Sequence, residues 1–382
     1  METKDRWGML YVLTFCHFVN DYYSMVIPPL LPFLAAEFRL TYLQSGLLVF
    51  MSQIISAFMQ PVAGYMADIH RWRKPAIVTG LAIYALMSVA LALVPNYAVL
   101  LGVLFLMGLG GSTYHPQSTS MISFYFQKFR ATASGIHGAG NPLGFVAAPV
   151  IVTALIALSG SWRIAAILVS IPGAVGALLA WRLLEEPRHR GEKGFFIAFG
   201  SGSLILLTLI SGIVLGVFMG FTTFIPFYSQ DTASIIPAAW WLPITLVPGI
   251  VSQPIGGIVA DKIGRKKLII LGLGALTAAL FCFVFSAGLT ALVFSMLAGF
   301  CLGLLVPVCL IFAAELAVGL KVGTAVGILW GFSMGVGALT PLWVGYLRDL
   351  FPDFQMAFMS LVALAAIGTF LSCFLPKKLM VS

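Results

Sequence analysis

Twelve apolar stretches follow one another along the chain, separated by short breaks rich in charged and turn-forming residues. They run approximately over 8–34, 42–66, 75–94, 97–124, 131–158, 163–184, 196–227, 237–260, 268–287, 289–314, 323–347 and 355–375. Crossing the hydrocarbon core of a bilayer as a helix takes about 20 apolar residues. Every stretch is long enough. The pattern therefore predicts an all-α membrane protein with twelve transmembrane helices.

Composition agrees. The 382 residues are 60% hydrophobic and 9% charged, whereas soluble domains carry roughly 25% charged residues. The formal charge of +8 does not mark a nucleic-acid binder, because the basic residues sit singly or in short runs between apolar stretches. The partner is the lipid bilayer. Of 21 Lys and Arg residues, 18 fall at the termini and in alternate breaks, and only Arg39, Arg163 and Arg348 lie on the opposite face. By the positive-inside rule, both termini are expected in the cytoplasm, on a multi-pass inner-membrane protein. The first stretch is too long for a signal-peptide core and has no small-residue cleavage site after it, so no cleavable signal is expected. Cys16, Cys282, Cys301, Cys309 and Cys373 all lie in apolar stretches, with no CxxC or CxxH spacing. They read as small buried hydrophobes, and no metal or cofactor is expected.

The chain repeats itself. QPVAGYMADIHRWRK, Gln60 to Lys74, matches QPIGGIVADKIGRKK, Gln253 to Lys267, at an offset of 193. Gly135 and Pro149 match Gly327 and Pro341 at an offset of 192. The expected organisation is a six-helix half over 1–184, a cytoplasmic linker over 185–195 and a second half over 196–382. Parallel repeats of this kind are the layout of secondary transporters whose substrate path lies between the halves.

Gly64-x-x-x-Asp68 with its basic run, repeated as Gly257-x-x-x-Asp261-Lys-x-Gly-Arg-Lys-Lys, resembles the loop signature of the major facilitator superfamily. The first copy departs from it, with Trp72 where the loop glycine is expected. HFVND near the N-terminus, GLGGSTYHPQS at Gly108–Ser118 and FAAELAVGLKVGTAVGILWGFSMGVGAL at Phe312–Leu339 resemble the fosmidomycin-resistance subfamily. The resemblance implies a proton-coupled exporter working by alternating access, although related subfamilies include importers. It also implies a latch. Asp68 and Asp261 sit at helix C-termini, where a negative charge is unfavourable alone, and the family's fold would set them against the eleventh and fifth helices. Arg71 and Arg265 belong to the same motif. Gly64 and Gly257 fit close helix approach, as do the glycines of the fifth and eleventh spans.

Of thirteen acidic residues, only Asp21 sits well inside a span. A charge at that depth costs about 2.5–3.5 kcal/mol on insertion scales and points to function. His17 lies one turn earlier on the same face. His115 and His137 are the other histidines at depth. The resemblance places the first and fourth helices along the path, so Asp21, His17 and His115 are candidates for proton coupling. Glu315, at the inner end of the tenth span, is a further candidate, with pairing to loop cations as its alternative. Candidate cavity residues are Asn20, Tyr22, Gln53, Tyr114, His137, Thr222 and Trp330, together with Tyr23, Gln44, Gln117, Phe221, Thr223, Trp240 and Trp241. Trp240 and Trp241 read equally as interfacial belt residues. No Lys or Arg lies at the midplane, which suits amphipathic or lipophilic cargo more than a dianion.

Two functions compete: an exporter of drug-like molecules, and a transporter of a nutrient or organic acid. A membrane enzyme or receptor is the weakest reading, since HExxH, GxSxG and Walker glycine loops are missing. The partners expected are a small-molecule substrate and protons, and the protein is expected to act as a monomer.

Overall fold

The computed structural model describes residues 3–127, 129–187, 202–230, 236–316 and 322–376, and the regular structure among them is helical throughout. Contacts divide the chain into two compact units. One comprises Met1–Leu30 and Met51–Phe195, the other Leu31–Phe50 and Phe196–Ser382.

The first unit contains α1 (Thr3–Ser24), the start of α2 (Ile27–Phe38) and most of α3 (Tyr42–His70). It continues through α4 (Arg73–Ala92), α5 (Tyr97–Gly111), α6 (His115–Tyr125), α7 (Arg130–Gly138) and α8 (Gly140–Ser159), then α9 (Trp162–Leu168) and α10 (Ser170–Leu183). The second unit takes the first turns of α3 and continues with α11 (Gly202–Tyr228), α12 (Trp241–Ile263) and α13 (Arg265–Val284). It ends with α14 (Gly288–Leu316), α15 (Val322–Leu350) and α16 (Gln355–Ser372). Ten spans among the described residues are long and apolar enough to cross a membrane. The other two expected stretches are also helical, 8–34 as α1 with α2 and 323–347 within α15.

The predicted first span breaks at Met25–Val26, the fourth at Ser112–Tyr114, the fifth at Ala139 and the sixth at Val169. Proline placement explains the breaks. Pro28, Pro116, Pro142 and Pro172 each fall in the first turn of the helix that restarts, as the second or third residue. There the missing N–H has no carbonyl to serve, so proline fits the new helix while it stops the old one. In the second unit Pro226, Pro248, Pro254, Pro307 and Pro341 lie inside helices that run through.

Glycines set the closest approach in both units. A Cβ on Gly140 would lie 2.6 Å from the Thr14 carbonyl oxygen, and one on Gly144 would lie 2.4 Å from that of Phe18. Thus α8 packs directly on the backbone of α1, as small-xxx-small spacing permits. Gly337, 193 residues after Gly144, does the same against Leu215 and Gly216 of α11. The sequence expectation of close packing holds at these positions. At Gly257 it does not: no described atom beyond its own helix lies within 4 Å. Gly64 does meet a neighbour, since a Cβ there would lie 3.1 Å from Pro116.

The interior of the second unit is aromatic. Phe221, Phe283 and Phe358 meet edge to face with centroids 5.1–5.6 Å apart, and Tyr228 and Phe354 extend the cluster. Phe221 is therefore a core residue of this unit. Trp241 is fully buried against Tyr228 rather than set in an interfacial belt. Thr222 and Thr223 return their hydroxyls to carbonyls of their own helix.

Candidate functional site

Asp21 lies in the last turns of α1 and is almost fully buried within the first unit. Four side chains reach its carboxylate. His17, one turn earlier, places Nε2 3.1 Å from Oδ2. Asn141, at the start of α8, donates its amide to the same oxygen. Asn20 donates to Oδ1 at 2.8 Å, and His115 places Nε2 3.4 Å from that oxygen. Hydrogen bonds to a charged group are worth about 1.5–3 kcal/mol each, so two or three offset the cost of holding a carboxylate at this depth.

The helix breaks deliver these partners. The turn at Ser112–Tyr114 ends α5 and starts α6 with His115, and the break at Ala139 separates His137, in the last turn of α7, from Asn141 in the first turn of α8. Residues 137 and 141 stay on one face across the turn at Ala139. His137 therefore stacks on His17 while Asn141, one turn later, reaches the Asp21 carboxylate.

Hydrogen bonding fixes the proton positions. The Tyr114 hydroxyl donates to the Leu13 carbonyl, which can only accept. Its oxygen therefore accepts from His137 Nε2 at 3.0 Å, so that nitrogen carries hydrogen. The His137 carbonyl in turn faces His17 Nδ1 at 2.8 Å. A carbonyl has no hydrogen to give, so Nδ1 of His17 is protonated. The two rings stack with centroids 4.2 Å apart and 16° between planes, holding His17 in this pose. What remains is His17 Nε2 facing Asp21. Two lone pairs at 3.1 Å repel unless one positive charge is shared between them. A proton placed between the two atoms removes that repulsion.

Major Facilitator Superfamily sequences, taken as a family profile, match residues 13–235 and 207–379. The chain belongs to the Major Facilitator Superfamily. An uncharacterised MFS-type transporter of Bacillus subtilis (strain 168) is 28% identical, over 89% of this chain and 86% of its own. The fosmidomycin resistance protein of Escherichia coli (strain K12) is 26% identical, over 99% and 95%. The superfamily and the likeness to this subfamily stand as the sequence motifs implied. A crystal structure of a bacterial homologue of the human lysosomal transporter Spinster, inward-facing and occupied, superposes with a TM-score of 0.86 at 17% identity over all of both chains. It shares the fold. Membership makes the chain a multi-pass membrane transporter of small molecules rather than an enzyme.

Within this member of the superfamily, the candidate residues fall into separate groups. His17, Asn20, Asp21, Tyr114, His115 and His137 form one cluster. Asn141, absent from the sequence candidates, completes it; an amide inside an apolar span, beside Pro142, is the signal that marks it. Tyr22 is fully buried beside the cluster, with a hydroxyl that meets no partner among the described residues. Gln53 is buried on α3, and Gln117 donates to the Ala63 carbonyl at 2.9 Å, tying α6 to α3. Tyr23 turns away, donating to Val169 at 2.7 Å and stacking on Tyr84. Gln44 caps α3, its amide oxygen accepting from Thr41 N. Trp240 lies in a short turn before α12, and Trp330 is half-buried on α15.

The motif residues split likewise. Glu315 belongs to the second unit, where it is exposed and takes Arg265 at 2.9 Å, while Arg265 also holds Asp261 at 2.7 Å. The Asp68 side chain lies outside the described residues. Arg71, not Trp72, stands where the second copy has its loop glycine: Gly264 has φ 92°, and Arg71, 193 residues earlier, has φ 57°. The reading that set Trp72 there slipped by one residue. Trp72 is thus the counterpart of Arg265.

Proposed function

We propose that the protein is a proton-coupled secondary active transporter working by alternating access, and that it exports a drug-like or amphipathic small molecule. The observation that carries the reading is the Asp21–His17 contact, which needs one shared proton and sits at the depth of the membrane. His115 reaches the same carboxylate while keeping 25% of its side chain accessible, a route by which that proton exchanges. Opening the cavity to one side or the other changes the hydration of the pair, and so its hold on the proton. Export is supported by the full-length relative named for resistance to fosmidomycin and by the absence of Lys or Arg at the midplane. On this reading Asp68 and Asp261 are the cytoplasmic latch, both termini face the cytoplasm and one chain suffices for transport.

The test is proton flux in proteoliposomes on adding a candidate drug. Asp21→Asn keeps size and hydrogen bonding but cannot ionise, and it is expected to abolish both proton flux and gradient-driven transport. Flux at the wild-type level in a monodisperse Asp21→Asn preparation would overturn the assignment. Transport of an organic acid in preference to amphipathic drugs would replace the cargo and leave the coupling intact.

A further inference from the structure

The positive charge that the cluster requires need not be a proton. One ring nitrogen each of His17 and His115 and a carboxylate oxygen of Asp21 lie within 4.8 Å of one another. In a tetrahedral site with bonds of about 2.0–2.1 Å, neighbouring ligand atoms stand roughly 3.3 Å apart. The contacts to Asp21, 3.1 Å from His17 to Oδ2 and 3.4 Å from His115 to Oδ1, lie near that value, one to each carboxylate oxygen. Two imidazoles and one carboxylate form a donor set suited to zinc and its transition-metal neighbours rather than to magnesium or calcium.

Two further features are those of a built ligand set. The first is the outer partner of His17. Metal-binding histidines almost always donate the remote ring N–H to a carbonyl or carboxylate, which turns the other nitrogen's lone pair inward. His17 does this with the carbonyl of His137. The second is Asn20, 2% exposed, whose Oδ1 has no hydrogen-bond partner. Its amide nitrogen lies 2.8 Å from Asp21 and 3.2 Å from His115. Rotating the amide by half a turn exchanges the two atoms. That rotation turns the orphaned buried oxygen toward Asp21 and His115, where it serves as a fourth ligand.

We propose that His17, Asp21, His115 and Asn20 bind one transition-metal dication of the zinc class, in place of the proton that the pair otherwise shares. The ion enters on the His115 side and inhibits transport by occupying the coupling site. The inhibition rests on the proton-coupling reading above; the binding site does not. Its donors come from α1 and from the start of α6, so no local Cys or His spacing announces it.

The full-length protein in detergent, stripped with a chelator, is titrated with Zn2+ by calorimetry, and with Co2+ followed by its visible spectrum. The expected result is one Zn2+ per chain, with a tetrahedral-type Co2+ spectrum that Zn2+ abolishes and Mg2+ does not. His115→Gln is expected to weaken Zn2+ binding by roughly 10–100-fold or more, the range by which even outer partners of metal ligands act. Zn2+ is expected to stop proton flux in proteoliposomes, with recovery on chelation. A Co2+ spectrum that stays octahedral in the wild type overturns the site without recourse to any variant. So does a zinc site unchanged by both His115→Gln and Asp21→Asn. Zinc bound here with proton flux untouched in Asp21→Asn would leave the site standing and remove the coupling reading. Lost flux in Asp21→Asn without zinc binding would do the reverse.

Discussion

The two units share a packing scheme and differ in what they bury. Gly144 and Gly337 stand 193 residues apart, and each presses its helix onto a backbone within its own unit, α1 for the one and α11 for the other. At the same offset, His17, Asn20 and Asp21 of α1 correspond to Ile210, Ile213 and Val214 of α11. One unit holds a hydrogen-bonded cluster at its centre, the other a knot of phenylalanines. Helix continuity follows the same division. The fourth, fifth and sixth spans are broken, whereas their counterparts α14, α15 and α16 run unbroken. A repeated architecture thus constrains how helices touch and leaves free what each unit buries, and the unit that buries the polar cluster is the one whose helices are interrupted.

The largest effect should come from the apolar unit. Phe283 is fully buried among Phe221, Phe358 and Tyr228. Phe283→Ala is expected to destabilise the protein by about 3–5 kcal/mol, seen as a fall in the detergent unfolding temperature. A stable variant with lost proton coupling would instead place chemistry in the second unit and break the contrast. His17→Gln is next. It should cut gradient-driven transport by roughly 100-fold, within the 10²–10⁴ range attributed to a positioned proton-transfer group, with little change in unfolding temperature. If unfolding moved and coupling did not, the cluster would be only structural.

The third test probes what the units share. Gly144→Ala is expected to cost about 1–3 kcal/mol through overpacking, and Gly337→Ala less, because its Cβ would stand 3.1 Å from α11 where that of Gly144 would stand 2.4 Å from α1. A larger loss at Gly337 would show that the units do not use the seam as their clearances imply. The smallest effect belongs to Arg71. A left-handed conformation costs a non-glycine residue about 1–2 kcal/mol, so Arg71→Gly should raise the unfolding free energy by about 1 kcal/mol or slightly less. A decrease would mean that the guanidinium makes a compensating contact.

Apolar length alone was enough to place twelve spans, because the bilayer imposes it on each stretch separately. HFVND was legible for a related reason: an acid and a histidine one turn apart in an apolar stretch have no bland explanation at that depth. What escaped depended on three-dimensional neighbours. Asn141 sits among the glycines of the fifth span, and only the packing of α8 on α1 brings its amide to Asp21. Phe221 and Tyr23 have the composition of a cavity wall, but the first is packed on Phe283 and the second on Tyr84. Gly64 and Gly257 are identical in motif, yet only Gly64 has a proline against it. The slip at Trp72 arose because a missing glycine was sought by residue type, whereas the chain keeps the left-handed turn and places an arginine in it.

Two histidine tautomers in the cluster trace back to main-chain carbonyls, that of His17 directly to His137 and that of His137 to Leu13 through the Tyr114 hydroxyl. A point mutation deletes a side chain but not a peptide bond. Tyr114 apart, the wiring is therefore insulated from drift in its surroundings, and Leu13 should tolerate any apolar replacement that preserves the helix. Nearby side chains can change while the His17–Asp21 pair inherits its orientation unchanged. On the proton-coupling proposal, a transporter built this way can change its cargo without having to reinvent its engine.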